Sequence, residues 1–499
     1  MKILLVQPFG SGSPPLGLCL ISAELKAAGY KDISFVDLVR GDFRAYIQSP
    51  YRTEEHLMEK LKERPDVLLL TASVATFKEA HEVIRMARPY AKTIILGGPH
   101  ATLFQQRVLE LVPELDIVVY GEADATIAEL IRRLENGEDL SGINGVIYRS
   151  YGQIIKNPMS MPITDLDKIP FPDRDMLDIR TYNGAFCMLT SRGCPYSCTF
   201  CSRPVTGKLF RGRSAKNVVD EMEFLLKKYP EAAARVNRTF TIVDENFGVD
   251  RQRMIDVAEE IIRRNLGIKF ILPNGLHVAS ADLEVFRKLK QAGCQLIYFG
   301  MESGNDETLK RIRKASSRQM IKRAIDLCHE TGIKAGGHFI IGLEDETPET
   351  AMQTIRFIKE SGVDYANLNH AVPEPGTPLW EYVRSHGKFL LDFTDVLDYS
   401  RFYMDNVRPQ FETPEFTAEQ RISVYNEGLK VIDDLLRSKV LSWNNMAKFV
   451  KETRSLGDYV WAVRRAFTML VKKDLRRQYQ PKPSVVKRAK EKVPVETYM

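Results

Sequence analysis

The chain has 499 residues, 44% of them hydrophobic, and a formal net charge of only +6. That length supports about two to four domains, each able to bury a core of its own. Seven cysteines, an odd number that gives no even framework, and no signal pattern at Met1-Lys-Ile-Leu-Leu-Val point to a reducing cytoplasm; with no run of about 18 apolar residues, no transmembrane helix is expected.

Residues 1–140 read as one α/β domain. Lys2–Gln7 is a Leu-rich, β-branched strand ending at Pro8, and a Gly/Ser/Pro loop, Phe9–Pro15, follows. Leu16–Ala28 has helical apolar spacing and stops at Gly29. The rhythm recurs at Ile33–Leu38, at Val67–Thr71 with Ser73-Val74-Ala75, at Thr93–Leu96 with Gly97-Gly98-Pro99-His100, and at Ile117–Tyr120 with Gly121-Glu122. Such alternation predicts a doubly wound, Rossmann-like parallel sheet. Ligands bind these sheets beyond the C-terminal strand ends, so Ser73, Gly97, Gly98, Gly121 and Glu122 are candidate contacts.

Residues 141–183 read as a connector. Val146–Arg149 and Gln153–Lys156, split by Ser150-Tyr151-Gly152, predict a small hairpin, and Ile163–Pro172 predicts an extended crossing segment. The stretch Thr190-Ser-Arg-Gly-Cys-Pro-Tyr-Ser-Cys-Thr-Phe-Cys201 comes next. It places Cys194, Cys198 and Cys201 at C-x3-C-x2-C spacing. Thiolates are soft ligands, and one loop can offer several to one metal centre. A structural zinc site needs four protein ligands, and the next His and Cys downstream are His277 and Cys294. A four-iron cluster held by three cysteines would keep one iron open for a substrate.

Residues 184–390 carry six strand and helix units. The strands fall at Ala185–Thr190, Thr239–Val243, Ile268–Ile271, Gln295–Gly300, Ala335–Ile341 and Asp364–Asn369. Six units predict an open, partial (β/α) barrel with its chemistry at the C-terminal strand ends. Polar residues gather there: Asp244-Glu245-Asn246, Asn274 and His277, Gly300-Met301-Glu302-Ser303-Gly304, His338 with Gly342, and Asn369-His370. Cys294 and Cys328 are expected as buried residues outside the chemistry. Lys208, Arg211 and Arg213 are expected on a solvated or ligand-facing loop. They lack the interleaved aromatics of a nucleic-acid surface, so no nucleic-acid partner is expected.

Residues 391–499 leave the βα rhythm for a helical C-terminal region, with helices expected at Ala418–Leu436, near Asn445–Lys451 and at Tyr459–Leu475. From Arg464 to Met499 there are eleven Lys and Arg against three Asp and Glu, a net +8, so the positive balance of the chain belongs to its tail. Gln480–Met499, with three prolines and little apolar content, is expected to be disordered. The tail's charge follows an amphipathic stretch with Trp461, Phe467, Met469 and Leu470, which raises peripheral contact with an anionic membrane.

The cysteine motif, with Phe200 as its aromatic, resembles that of the radical S-adenosylmethionine (SAM) superfamily. The resemblance implies a [4Fe-4S] cluster ligated by Cys194, Cys198 and Cys201, its open iron chelated by SAM, and reductive cleavage of SAM to a 5'-deoxyadenosyl radical. Gly300–Gly304 is similar to the family's ribose-binding segment, which makes Glu302 and Ser303 candidate SAM contacts. Gly337–Gly342 is similar to the segment beside adenine and adds His338 and Gly342. Asp244 and Glu245 stand where the family has GGE; the glycines are absent, and Glu245 is the candidate contact. Pro14–Leu18, Leu96–His100 and Tyr120–Glu122 resemble the cobalamin-binding domain that precedes the radical SAM domain in one large subfamily. The cobalt-ligating D-x-H-x-x-G of many cobalamin proteins is missing, so cobalamin is expected without a histidine from that loop. The resemblance implies methylation of an unactivated carbon of a small molecule or lipid, with an electron donor such as flavodoxin or ferredoxin. A radical cyclase or oxidase like the anaerobic bacteriochlorophyll cyclase, and a non-catalytic cluster- and cobalamin-binding sensor, are the alternatives.

Overall fold

The computed structural model describes residues 1–10, 12–38, 52–390 and 408–440. The helices expected near Asn445–Lys451 and at Tyr459–Leu475, and the basic tail, lie outside the described residues.

The first sheet contains β1 (Ile3–Gln7), β2 (Ile33–Asp37), β3 (Val67–Thr71), β4 (Thr93–Gly97), β5 (Ile117–Val119), β6 (Val146–Ser150) and β7 (Gln153–Lys156). Its spatial order is β2-β1-β3-β4-β5-β6-β7. The first five strands pair in parallel. Their side chains alternate between two cores: Leu4, Val6, Leu68, Leu70, Ile94 and Leu96 on one face, Ile3, Leu5, Val67, Leu69 and Ile95 on the other. Both faces are covered, which is why these strands read as unbroken apolar runs. The hairpin expected in the connector is not free-standing. β6 pairs antiparallel with β5, and β7 with β6, so the hairpin extends the first sheet. Strand order reverses between β1 and β3, where a doubly wound sheet opens its crevice.

The second sheet contains β8 (Cys187–Met188), β11 (Thr239–Ile242), β12 (Lys269–Leu276), β13 (Cys294–Glu302), β14 (Lys334–Ile341) and β15 (Tyr365–His370). All its pairings are parallel, and spatial order follows chain order. Helices such as Ala215–Lys228, Arg251–Arg263, Arg318–Thr331 and Pro348–Glu360 cover its outside over one continuous core. The first strand is shorter than its apolar run because the chain peels away at Thr190. A separate two-stranded ribbon then forms, β9 (Ser191–Arg192) against β10 (Arg211–Gly212). The cysteines sit on the loop at the tip of this ribbon.

The C-terminal end of the connector, after the crossing segment, is pinned on both sides. Asp173 N donates to Cys19 O at 2.9 Å. The Arg174 side chain, fully buried, pairs with Glu221 at 3.0 Å. Tyr182 donates to Asp37 at 2.5 Å, and Arg52 pairs with the same carboxylate at 2.8 Å. The helix Ala418–Val440 packs on β15 and on Pro348–Glu360. Among the described residues no helix is long and apolar enough to cross a membrane.

Candidate active site

Cys194 and Cys198 are each 8% exposed and Cys201 is half-buried. Burial pushes the Cys201 thiol up to about 11, against the pull of Arg203, with Cys198 and Cys194 close enough to add to the rise. The loop is held from below by two carboxylates at the end of β11. Asp244 accepts from Thr190 N at 2.5 Å, Thr190 Oγ1 at 2.6 Å and Ser191 Oγ at 2.6 Å. Glu245 accepts from Gly193 N at 2.7 Å and from the Thr206 hydroxyl. Glu245, read from the sequence as a SAM contact, is therefore occupied in shaping the cysteine loop. Gly193 sits at φ +81, which only a glycine adopts without strain, and the Leu209 carbonyl leaves no room for a Cβ. Phe200 packs against the barrel core.

Tyr196, between the first two cysteines, stacks on His277 with ring centroids 4.2 Å apart. His277 Nε2 donates to the Lys314 carbonyl at 2.5 Å, and its Nδ1 accepts from Ala279 N at 3.2 Å. This imidazole joins the cysteine loop to the segment that carries Lys314.

Glu302 ends β13 at φ +59, past a register shift between Gly300 and Glu302. Such bulges re-aim a side chain at a strand end. Its Oε1 accepts from Lys314 Nζ at 2.8 Å, and both side chains are nearly buried. A Cβ on Gly300 would lie 2.6 Å from each of those two atoms, so the glycine makes room for the pair. Burial alone would lower the Lys314 pKa; Glu302, Cys198 and Cys201 reverse that and hold it raised, so Lys314 keeps its charge beside the thiols. Nothing in the sequence marked Lys314; it lies 12 residues beyond its partner, without a motif. Ser303 is fully buried, and its hydroxyl meets Thr354 Oγ1 at 3.1 Å and Asn305 N at 3.1 Å, a packing and capping position.

Gly342 sits at φ +82. Its N–H donates to Glu346 at 2.5 Å, and its carbonyl accepts from Arg421 Nη1 at 3.0 Å. Arg421 comes from the C-terminal helix and lies between the rings of Phe411 and Phe416. His338 crosses the barrel. Its Nε2 donates to Pro273 O at 2.7 Å, Asn367 Nδ2 donates to its Nδ1 at 3.3 Å, and Tyr298 stacks on it. His338, Asn367 and Asn369 line an open cavity of about 410 Å³ together with Leu429 and Ile432 of the C-terminal helix.

The first sheet presents a different site. A cavity of about 210 Å³ opens at its C-terminal strand ends, lined by Leu16, Leu20, Leu69, Gly97, Gly98 and Gly121, and by Leu189, Arg192, Val205 and Thr206 of the cysteine segment. Both domains therefore face one space. Gly98 is at φ +92, and a Cβ there would strike Thr71 and come within 3.0 Å of Ala72 O. No histidine is among the lining residues. His100 is fully buried between Phe77 and Phe104, and burial lowers its pKa to about 3. Ser73 is taken up in a capping box with Thr76. Glu122 lines the cavity, but its carboxylate pairs with Arg192 and Arg211 of the second domain. Arg211 and Arg213 are buried in ion pairs rather than on an open loop. A larger cavity, about 630 Å³, lies among Phe35, His56, Leu177 and Tyr229 and shares none of these residues.

The donor sets fit the groups that the sequence implied. Among the described residues no three His, Cys, Asp or Glu are gathered as a single-ion site; a four-iron cubane instead spreads three cysteines over three irons. The apolar, glycine-rimmed slot offers a face without an imidazole against which part of a bulky cofactor can lie, although at about 210 Å³ it is too small to enclose one.

A radical SAM superfamily model matches residues 188–358, and a B12 binding domain model matches residues 3–131. An uncharacterised methyltransferase of Pyrococcus horikoshii is 30% identical over 457 residues, 88% of this chain and 94% of that protein. The anaerobic magnesium-protoporphyrin IX monomethyl ester cyclase of Rubrivivax gelatinosus is 29% identical over 423 residues, 81% of this chain and 72% of the cyclase. The radical SAM methyltransferase TsrM of Kitasatospora setae, solved with cobalamin and a [4Fe-4S] cluster, shares the fold at a TM-score of 0.67 and 18% identity over 88% of this chain and 90% of that one. Three thiols on a ribbon loop beside a glycine-rimmed slot thus have their explanation in descent: the chain belongs to the radical SAM superfamily, in the cobalamin-binding branch, whose cofactors are a [4Fe-4S] cluster, SAM and cobalamin.

Proposed function

We propose that this enzyme methylates an unactivated carbon of a small molecule. The observation that carries the reading is the shared cavity, in which strand-end glycines of the first sheet face Leu189, Arg192, Val205 and Thr206 beside the cysteines. When bound, the cluster with SAM supplies radical chemistry for hydrogen abstraction, and cobalamin supplies methyl transfer. Cys194, Cys198 and Cys201 would hold the cluster. Glu302, fixed by Lys314, would accept ribose hydroxyls of SAM, and charged Lys314 would attract its carboxylate. Gly342 and its clamp of Glu346 and Arg421 would shape the adenine side. Gly97, Gly98 and Gly121 would border the cobalamin. The wall of Tyr298, His338 and Asn367 would face the substrate and keep bulk water out.

The radical cyclase or oxidase is the second reading, favoured by the 29% identity to the Rubrivivax cyclase. Anaerobic incubation of reconstituted enzyme with SAM, cobalamin, reductant and host extract, followed by mass spectrometry, separates the two. A mass gain of one methyl group supports methylation; ring closure or oxidation supports the cyclase. Binding of both cofactors with no 5'-deoxyadenosine under reduction would leave only a sensor. The electron donor is proposed to be a low-potential carrier such as flavodoxin or ferredoxin. The net +8 of residues 464–499 is proposed to hold the enzyme at an anionic membrane, which would suit a lipid or pigment substrate. Flotation with anionic vesicles, comparing the full chain with one ending at Val463, tests that; equal flotation of the two removes it.

A further inference from the structure

The loop that carries the three cysteines stands on a ribbon with an electrostatic defect. β9 and β10 pair over two residues each, and Arg192 lies directly opposite Arg211. Like charges facing each other across a ribbon repel, and here both side chains are nearly buried, Arg192 at 6% and Arg211 at 5% exposure. The repulsion is not relieved within the ribbon. It is relieved by the first domain. Glu122, 4% exposed, reaches across from the turn after β5. Arg211 holds it with two bonds, Nη1 to Oε2 at 2.9 Å and Nη2 to Oε1 at 2.5 Å, and Arg192 Nη1 meets the same Oε2 at 3.2 Å. Asp124, two residues on, takes the rest of Arg192 at 2.7 Å and 3.0 Å. The Glu122 carbonyl accepts from Ser160 Oγ at 3.2 Å, and Arg211 donates to Ile163 O at 2.8 Å, so the crossing segment is tied to the same point.

We infer that Glu122 is a positioning residue: among the described residues the one carboxylate shared by both ribbon arginines, it locks the cysteine loop to the cobalamin-side turn and sets their spacing. A bidentate carboxylate–guanidinium pair fixes orientation as well as distance. Removing one partner of such a buried set leaves the others uncompensated. Gly193 follows Arg192 directly, so any shift of the ribbon is passed to Cys194 through one residue. The lock needs no bound cofactor. Its consequence, that hydrogen abstraction and methyl transfer stay coupled, rests on the function proposed above.

The test uses the full chain without cofactors and reads amide hydrogen exchange across residues 190–212. Glu122→Gln keeps the shape and removes the charge. Exchange at the ribbon amides should rise by about tenfold or more, although residue 122 is far from them in sequence. Glu122→Gln with Arg211→Gln removes one of the two opposed cations and leaves Arg192 paired with Asp124; protection should return. Glu122→Asp, too short to span both arginines, should fall between and serves if Glu122→Gln does not fold. In reconstituted enzyme, Glu122→Gln should make more 5'-deoxyadenosine per product, and any cobalamin affinity it loses should return when Arg211→Gln is added. Unchanged ribbon exchange in Glu122→Gln overturns the lock. A loss of cobalamin affinity that Arg211→Gln does not restore makes Glu122 a cofactor contact instead. Restored exchange with normal coupling in all variants would keep the lock and reject the coupling, without touching the assignment of the cysteines.

Discussion

The crevice of the first sheet and the rim of the barrel occupy the same place in their folds, beyond the C-terminal ends of parallel strands, yet the first is mostly glycine and leucine, with its buried charges confined to the seam of Glu122, Asp124 and Arg192. The crevice is rimmed by Gly97, Gly98 and Gly121 and walled by Leu16, Leu20 and Leu69. The rim is built from thiols and from charges paired in burial: Lys314 with Glu302, Asp244 and Glu245 on the loop backbone, Glu346 and Arg421 on either side of Gly342. The ligands proposed for the two sites would account for the difference. A large, rigid macrocycle can be held by shape, and a site that holds by shape needs absent side chains more than present ones. A cluster and a charged nucleoside need donors at fixed points, and each buried donor then needs a partner of its own.

The comparison breaks most visibly at the cysteines. Alanine at Cys194, Cys198 or Cys201 should abolish the four-iron absorbance and all SAM cleavage, while alanine at Cys294 or Cys328 leaves both. A full cluster in Cys201→Ala would remove the assignment. Next in size is Glu302→Ala, which should leave the cluster intact and weaken SAM binding by about ten- to hundredfold, the 1.5–3 kcal/mol or so of a charged hydrogen bond. Equilibrium dialysis against SAM reads it, and an unchanged affinity would make Glu302 a purely structural partner of Lys314.

An effect of similar size is expected from pH. Burial pushes the Glu346 carboxyl up to about 7 from 4.5, against the Gly342 and Leu343 N–H groups that pull it down. An acid raised on folding favours its protonated form in the native state. Its contribution is therefore complete below about pH 4.5 and is lost as pH rises to about 7. From pH 5 to pH 8 the native chain should lose on the order of 2–3 kcal/mol more stability than Glu346→Gln, measured by denaturant unfolding. Parallel curves for the two proteins would refute it.

On the shape-held side, Gly98→Ala should cost about 1–2 kcal/mol through its positive φ and the crowding at Thr71, and should lower cobalamin occupancy without changing the cluster. Unchanged occupancy would mean that the crevice is not the cofactor's seat. The last expectation is a null result. Paramagnetic resonance of the cob(II)alamin state should show no nitrogen splitting from an axial ligand, since no histidine lines the crevice and His100 is sealed between Phe77 and Phe104. A clear nitrogen triplet would refute a base-off cofactor without histidine, whether the nitrogen came from the cofactor's own benzimidazole or from the protein.

Much of this was legible beforehand where the chemistry is local. Cys194, Cys198 and Cys201 lie within one turn of chain, and Gly300–Gly304 carries both a carboxylate and the glycine that makes room for it. Strand and helix periods were equally plain, because strands covered on both faces leave unbroken apolar runs. Other readings changed in three dimensions. Glu245 looked like a SAM contact and is bonded to Gly193 N. Ser303 looked like a neighbour of Glu302 in function and is packed against Thr354. Ser73 looked like a loop contact and caps a helical turn. In each case a backbone donor or hydroxyl of the chain already meets the side chain, a partner that the residue type alone did not reveal.

The amino-acid sequence by itself determined the two α/β units, the three-cysteine loop and the absence of a cobalt-ligating histidine in the first loop, since each depends on residues a few positions apart. Only the tertiary structure decided which charges compensate which. Lys314 meets Glu302 across 12 residues, Arg192 meets Glu122 across 70, and Arg211 meets Glu122 across 89. Coulombic partners are chosen by distance in space and by shared burial, and neither leaves a periodic trace along the chain. The seam between the two domains, where the cysteine loop is held to the cobalamin side, is made of such pairs, and it became visible only when both sheets were in place.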